Sequence, residues 1–404
     1  MDAAEPYQDL ANSLNNPSQI GKYMIQYGGT TLSIVDPKRI RNGLNVNEME
    51  LKIRKQTFQA IMSTYADLNT NATPHDEIAV YTYEYTIPGW YPIPVFPSRI
   101  FNGSYPSKYN TLTDIVIPQF NQTMDQALAS LKIQSGWKME CTAAQKIVEY
   151  SIINTLMKDF ADELLSTEYL DRRIADGRLY SSIRGYEGRN RRFAEAYLAR
   201  GVITQDVANS MLLDEQKTKR MFAFISLVDA LYILKDDSDH ELRTGDKSYI
   251  WGHPDYLDVH PDGSYRGENV FCIGYNDRGL KLFMGYGKNF ATGPKQLKEI
   301  QASLALEHLG LSEYPEGYKD EMERIILKRA PQPTSDFATA FAAIRSRKQV
   351  GIQILNIKAI QSFTDYDESA AGGSRKRKST RRHKRQRRST VKRRNLAVRR
   401  TRRA

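Results

Sequence analysis

From Arg375 to Arg403 the chain carries 17 Lys or Arg and no acidic residue, and this block constrains the fold more than any other feature. Its apolar residues are Val391, Leu396, Ala397 and Val398, too few to offset the entropy of ordering the segment, so it is expected to be a disordered tail. A packed core must therefore be built upstream. Setting the block aside leaves 41 basic against 47 acidic residues, so the formal charge of +11 resolves into an acidic body near −6 and a cationic tail. Gly372-Gly373-Ser374 marks the junction. A block of this kind neutralises phosphates without reading bases, which makes nucleic acid or another polyanion the expected partner of residues 375–403. A targeting or solubilising role is the other reading of the same charges.

The remaining body is long enough for one large core or two modest ones. Two cysteines in 404 residues give no disulfide framework and point to a reducing compartment. Met1 to Pro6 has neither a basic stretch nor an apolar run, and no later segment approaches the length of a membrane span, so an intracellular soluble protein, cytoplasmic or nuclear, is expected. There is no Gly-rich phosphate loop and no metal-ligand spacing, so no cofactor is expected. The reading divides the chain into an N-terminal extension (1–45), a body of α+β class (46–364) with a helical insertion at about 163–234, and the tail (365–404).

Within the body, Met49, Leu51, Ile53, Phe58, Ile61, Met62 and Tyr65 partly follow helical spacing, which predicts a helix over Asn47 to Leu68. Ala144, Ile147, Val148, Ile152 and Leu156 predict a second helix, from Thr142 to about Phe160. The aromatic stretch from Tyr81 to Tyr109 contains Pro88, Pro92 and Pro94, which exclude a helix or a central strand and leave coil or edge strand. Val270 to Ile273 reads as a buried strand, Gly274 to Gly279 as a turn and Leu280 to Met284 as the returning strand. Pairing about that turn is expected to place Gly285 or, with a one-residue slip, Tyr286 across from Glu268.

Two residues carry chemistry. Cys141 opens the helical run Cys141-Thr142-Ala143-Ala144-Gln145, where unpaired N–H groups and the positive end of the helix dipole favour thiolate. A lone cysteine on an apolar helix face is more often plain core. Glu268 stands at the start of a strand and shares a face with Val270 and Cys272, the latter about 13 Å away at ~3.3 Å per residue. Cys272 therefore belongs to the core rather than to the same reactive locus.

Met139-Glu140-Cys141-Thr142-Ala143, Gly245-Asp246-Lys247-Ser248-Tyr249-Ile250, His253-Pro254-Asp255-Tyr256 and Arg266-Gly267-Glu268-Asn269-Val270, together with the early helix from Asn47, occur in one order over roughly Asn47 to Gly310. In this the chain resembles the bacterial spore-type protein-glutamine gamma-glutamyltransferases, compact relatives of the papain-like thiol fold. The resemblance implies a papain-like core, with a Cys-bearing helix packed on an antiparallel sheet. It implies Cys141 as nucleophile and Glu268 and Glu140 as acid/base groups. Where that family places a histidine, this chain reads Met284-Gly285-Tyr286-Gly287, and a phenol can orient a carboxylate but cannot shuttle protons at neutral pH. His260 is the local substitute that the sequence offers.

The implied reaction is thioester formation at Cys141 from a protein glutamine, then attack by a lysine amine to leave an isopeptide bond. Glu268 can serve as acid and base only if burial raises its pKa. The expected partners are glutamine- and lysine-donating proteins. A thiol deamidase or peptidase, and a catalytically lapsed polyanion-binding structural protein, are the alternatives. The tail's texture is also similar to tails of large DNA virus proteins, which would make the protein virion-associated.

Overall fold

The computed structural model describes residues 22–71, 89–93, 115–132, 141–175, 199, 205, 215–235, 241–260, 265–329, 334–347 and 350–362. The chain divides into two units at 357/358, a few residues before the boundary expected from composition, and the elements below lie in the first. The tail lies outside the described residues.

The first strands come early. β1 (Met24–Tyr27) and β2 (Thr30–Ser33) form a hairpin, and β2 joins the main sheet through Ser33 and Tyr275. From Met24 onward, then, the segment expected to be a separate N-terminal extension is part of the fold. Its strands are four residues long, too short for an alternating pattern to stand out. A short helix, α1 (Pro37–Arg41), follows, and Tyr23, Ile34, Val35, Ile40, Val46 and Leu51 close into one apolar cluster. Leu51 already belongs to α2 (Glu48–Asn71), whose start is capped by the Asn47 side chain accepting from Glu50 N at 2.7 Å.

Before the next long helix come α3 (Met124–Lys132) and a separate two-stranded sheet of β3 (Trp90–Ile93) and β4 (Ile115–Pro118). The Pro-rich stretch thus supplies a strand with one partner, as its prolines allow; its remainder lies outside the described residues. Trp90 is buried, stacks on Tyr150 and donates its indole N–H to Ala127 O at 3.1 Å. The second predicted helix is α4 (Cys141–Leu156), with Ala144, Ile147, Val148 and Ile152 buried. Thr64 on α2 donates to Ser151 on α4 at 2.8 Å, which joins the two helices directly.

The segment expected as a helical insertion is mostly helix where described. α5 (Lys158–Leu164) and α6 (Thr167–Ala175) lead to α7 (Glu215–Asp229), and Arg220 on α7 grips Asp171 on α6 through two hydrogen bonds. Its end is different: Tyr232–Lys235 is β5, an edge strand of the main sheet. A four-residue apolar run followed by the charged sequence Asp236-Asp237-Ser238-Asp239 fits either state until a partner strand is known.

The main sheet holds eight strands among the described residues, and every pairing is antiparallel. β6 (Lys247–Trp251), β7 (Gly267–Tyr275), β8 (Lys281–Gly285), β9 (Lys295–Gln296) and β10 (Val350–Leu355) complete it, in the order β1-β2-β7-β6-β10-β5, with β8 also paired to β7 and β9 to β8. The protein is therefore mixed α+β with an open, antiparallel sheet. The β7–β8 turn forms because the Asn276 side chain accepts from Arg278 N and Leu280 N, with Gly279 in the left-handed region at φ 68°.

Alternation along β7 gives the sheet two distinct faces. Phe271 meets Tyr65 of α2 edge-on, with ring centroids 6.2 Å apart, so α2 and α4 cover the odd-numbered side. After the short helix α8 (Tyr256–Val259), the opposite side carries the 3-10 turn Lys288–Phe290, then α9 (Leu297–Leu309) and α11 (Asp336–Ser346). A Cβ on Gly285, the partner of Val270, would come within 2.6 Å of the Phe290 ring. Between these two lies α10 (Tyr318–Ile326). No helix among the described residues is long and apolar enough to cross a membrane.

Candidate active site

Cys141 is the first residue of α4, as its sequence context predicts, and it is partly exposed. The group that meets it is Asn269. The Asn269 side-chain amide donates to Cys141 Sγ at 3.1 Å and to Thr142 Oγ1 at 3.2 Å. A donor on the sulfur, added to the N–H groups and the positive dipole end of a helix start, favours negative charge there.

The height of α4 over the sheet is set by buried ions. Glu149, 1% exposed, accepts from Lys247 of β6 at 2.6 Å and from Lys146 at 2.9 Å, and Lys146 also reaches Asp229 at 2.7 Å. Burial alone would raise the Glu149 pKa, but the two ammonium groups outweigh it and hold the carboxyl below its ordinary range. On α2, Arg54 plays the equivalent part, donating to Thr244 O at 2.7 Å and pairing with Asp246 at 3.3 Å and Glu50 at 2.8 Å.

Glu268 lies one residue from Asn269 and so takes the other face of β7. It is 3% exposed, and its Oε1 accepts from Asn289 of the 3-10 turn at 2.8 Å. Burial pushes its pKa up to about 8; the Asn289 bond opposes the shift and the nearby charge of Glu307 adds to it. The carboxyl is thus largely protonated at neutral pH, the condition that acid/base use requires. The hydrogen bond to Cys141 Sγ comes from Asn269 and not from Glu268. The charges of Cys141 and Glu268 nevertheless both act on the phenols of Tyr65 and Tyr249. Burial first, and then those charges, raises each phenol above its usual range.

Tyr249 owes its place to Gly267. It pairs with Asn269 across β6 and β7, and a Cβ on Gly267 would stand 2.5 Å from its ring and 2.4 Å from Ile250 O. Only a glycine lets the phenol lie flat over the start of β7.

The pairing about the turn differs from expectation. Gly285 stands across from Val270, and Glu268 pairs with Ile250 on its other side, so neither Gly285 nor Tyr286 is opposite Glu268. The difference is set at the turn, where Tyr275 pairs with Lys281, and the register shift between Cys272 and Gly274 takes back only part of it. Tyr286 is buried and bracketed by Asn69 at the end of α2, which donates to Gly285 O at 3.4 Å and accepts from Gly287 N at 3.0 Å. His260 does not substitute at Cys141. Its Nε2 bonds His308 O at 2.8 Å, and His253 stacks on His308 with centroids 3.6 Å apart. Glu140 lies outside the described residues.

Sequence reasoning passed over Asn269, Tyr249 and Tyr65 as site residues. The first two fall inside the runs that carried the resemblance, while Tyr65 is indistinguishable there from an ordinary apolar position of α2. Among the described residues no group of His, Cys, Asp and Glu could hold a metal ion. The chain matches no protein-family model, and neither the curated proteins nor the solved structures yield a match.

Proposed function

We propose that this chain is a cysteine-dependent acyltransferase acting on protein-bound glutamine, built on a papain-like arrangement of a Cys-bearing helix against an antiparallel sheet. The observation that carries the reading is the 3.1 Å hydrogen bond from Asn269 to a sulfur at the first residue of a helix. A structural cysteine has no need of such a donor.

In this reading the Cys141 thiolate attacks the carboxamide carbon and the carbonyl oxygen becomes an oxyanion, stabilised by the N–H groups of the α4 start. The C–N bond breaks, the nitrogen takes a proton from a carboxylic acid and leaves as ammonia, and a thioester remains. A lysine amine then attacks the thioester, gives a proton to the carboxylate and expels the thiolate, leaving an isopeptide bond. Glu268 suits the acid/base part because burial holds its proton near neutrality. Glu140 is the other candidate for this part.

The test is incorporation of a fluorescent primary amine into a glutamine-rich protein by wild type, Cys141→Ala, Glu268→Gln and Asn269→Ala. Wild-type activity that vanishes in the first variant and falls at least tenfold in the others supports the reading. Ammonia release without amine incorporation makes the protein a deamidase. Full activity in Cys141→Ala ends the thiol mechanism.

A second reading concerns the tail and rests on its block from Arg375 to Arg403, with 17 basic residues and no acidic one. Residues 375–403 are proposed to bind polyanions, nucleic acid included, by phosphate neutralisation. Binding to duplex DNA should weaken steeply with salt and disappear on deletion of those residues. Undiminished binding by the truncated chain would remove this reading and leave the first untouched.

A further inference from the structure

Tyr65 is fully buried, yet its hydroxyl has no hydrogen-bond partner among the described residues. Its ring is satisfied: it packs edge-on against Phe271 between α2 and the sheet. A phenylalanine would fill the same space without desolvating an oxygen, so the hydroxyl costs stability in the resting protein. Such a cost is explained if an acceptor appears during function.

Asn269, which touches Cys141, lies two residues before Phe271 on the same face of β7, so the phenol and the sulfur share one side of the sheet, where the charges of Cys141, Glu149 and Glu268 all act on the phenol. Two of the three are already engaged. Glu149 holds Lys247 on one oxygen and Lys146 on the other. Glu268 accepts from Asn289 and keeps its own proton at neutral pH. The sulfur is different, because its charge is created only when the thiol ionises.

We propose that Tyr65 is a further catalytic residue, its hydroxyl donating a hydrogen bond to Cys141 Sγ once the thiolate forms. Asn269 then serves the sulfur from the sheet and Tyr65 serves it from α2. The thiol proton leaves to solvent or to the general base, and the phenol keeps its own. The assignment rests on Cys141 being the nucleophile of the proposed reaction, but it is tested without that reaction.

The experiment is the pH dependence of iodoacetamide alkylation at Cys141 in the full-length protein, read at that residue by mass spectrometry. In Tyr65→Phe the alkylation midpoint should rise by about one pH unit, and the rate at neutral pH should fall about tenfold. The thermal midpoint should stay level or rise. Identical profiles in both proteins overturn the assignment, and so does a Tyr65→Phe chain that fails to fold, because the resting state gives the oxygen nothing to hold. In the wild type, tyrosine absorbance should shift as Cys141 ionises and should not in Cys141→Ala; no difference between the two also overturns it. A shifted profile in a protein that transfers no amine sinks the transferase reading alone.

Discussion

The two cysteines of this chain differ in every property that governs sulfur chemistry. Cys141 opens a helix, is partly exposed and accepts a hydrogen bond from Asn269. Cys272 lies in the middle of β7, is fully buried, and its thiol points at Leu242 O from 3.8 Å. Burial pushes the Cys272 thiol up to about 12. The same functional group is inert in the centre of a sheet because burial outweighs the nearby Lys281 charge and the Gly274 backbone N–H, whereas a helix start supplies donors without full desolvation. Reactivity here is a property of the position.

The widest separation between these sites should appear in alkylation. At neutral pH in native protein, Cys141 should react on the order of a thousandfold faster than Cys272, from the difference in thiolate fraction alone. Peptide mapping after timed labelling measures both, and in denaturant the gap should close. Comparable native rates would break the contrast.

The next largest effect concerns what holds Cys141 in place. Glu149→Ala leaves Lys247 buried without its counter-charge, so unfolding free energy should fall by roughly 3–5 kcal/mol. Denaturant melts report it, and a Lys247→Met/Glu149→Leu double variant should recover most of the loss.

Glu268 sharpens the comparison from the other face of the sheet. Its native pKa of about 8 lies above the ordinary 4.5, so the folded state binds the extra proton between those values. Stability from this group is fully present below pH 4.5 and is lost as pH rises to 8, at up to about 1.4 kcal/mol per pH unit. Subtracting the melting profile of Glu268→Gln from that of wild type should show that slope. A flat difference would mean that the carboxyl is ionised in the fold.

The smallest effect is expected at Gly267→Ala. The new methyl meets Ile250 O and the Tyr249 ring, so a cost of about 1–3 kcal/mol is expected. Displacement of Tyr249 should also change the alkylation rate of Cys141, whereas a strand that only loosens would lower stability alone.

Much of this architecture was legible in residue order. The periodicity of α2 and α4, the turn chemistry of Asn276 and Gly279, and the core placement of Cys272 all follow from local pattern, because each depends on neighbours within a few residues. What was misread depends on partners far away. Alternation along β7 separates Glu268 from Asn269 but does not say which of them the helix bearing Cys141 will face. The pairing of Glu268 with Ile250, the β-bulge near Gly274 and the strand at Tyr232–Lys235 all required the neighbouring strand to be known.

By itself the sequence determined that a thiol would open a helix, that a carboxyl would enter a strand and that a cationic block would follow the folded body. Local propensity and charge are sufficient for those. Only the tertiary structure decided that Asn269 touches the sulfur, that Glu268 turns away to a buried place against Asn289 and that Tyr65 brings under α2 a hydroxyl without a partner among the described residues. Which side of a sheet a helix covers is chosen by the summed burial of both faces, a quantity no short stretch of residues contains.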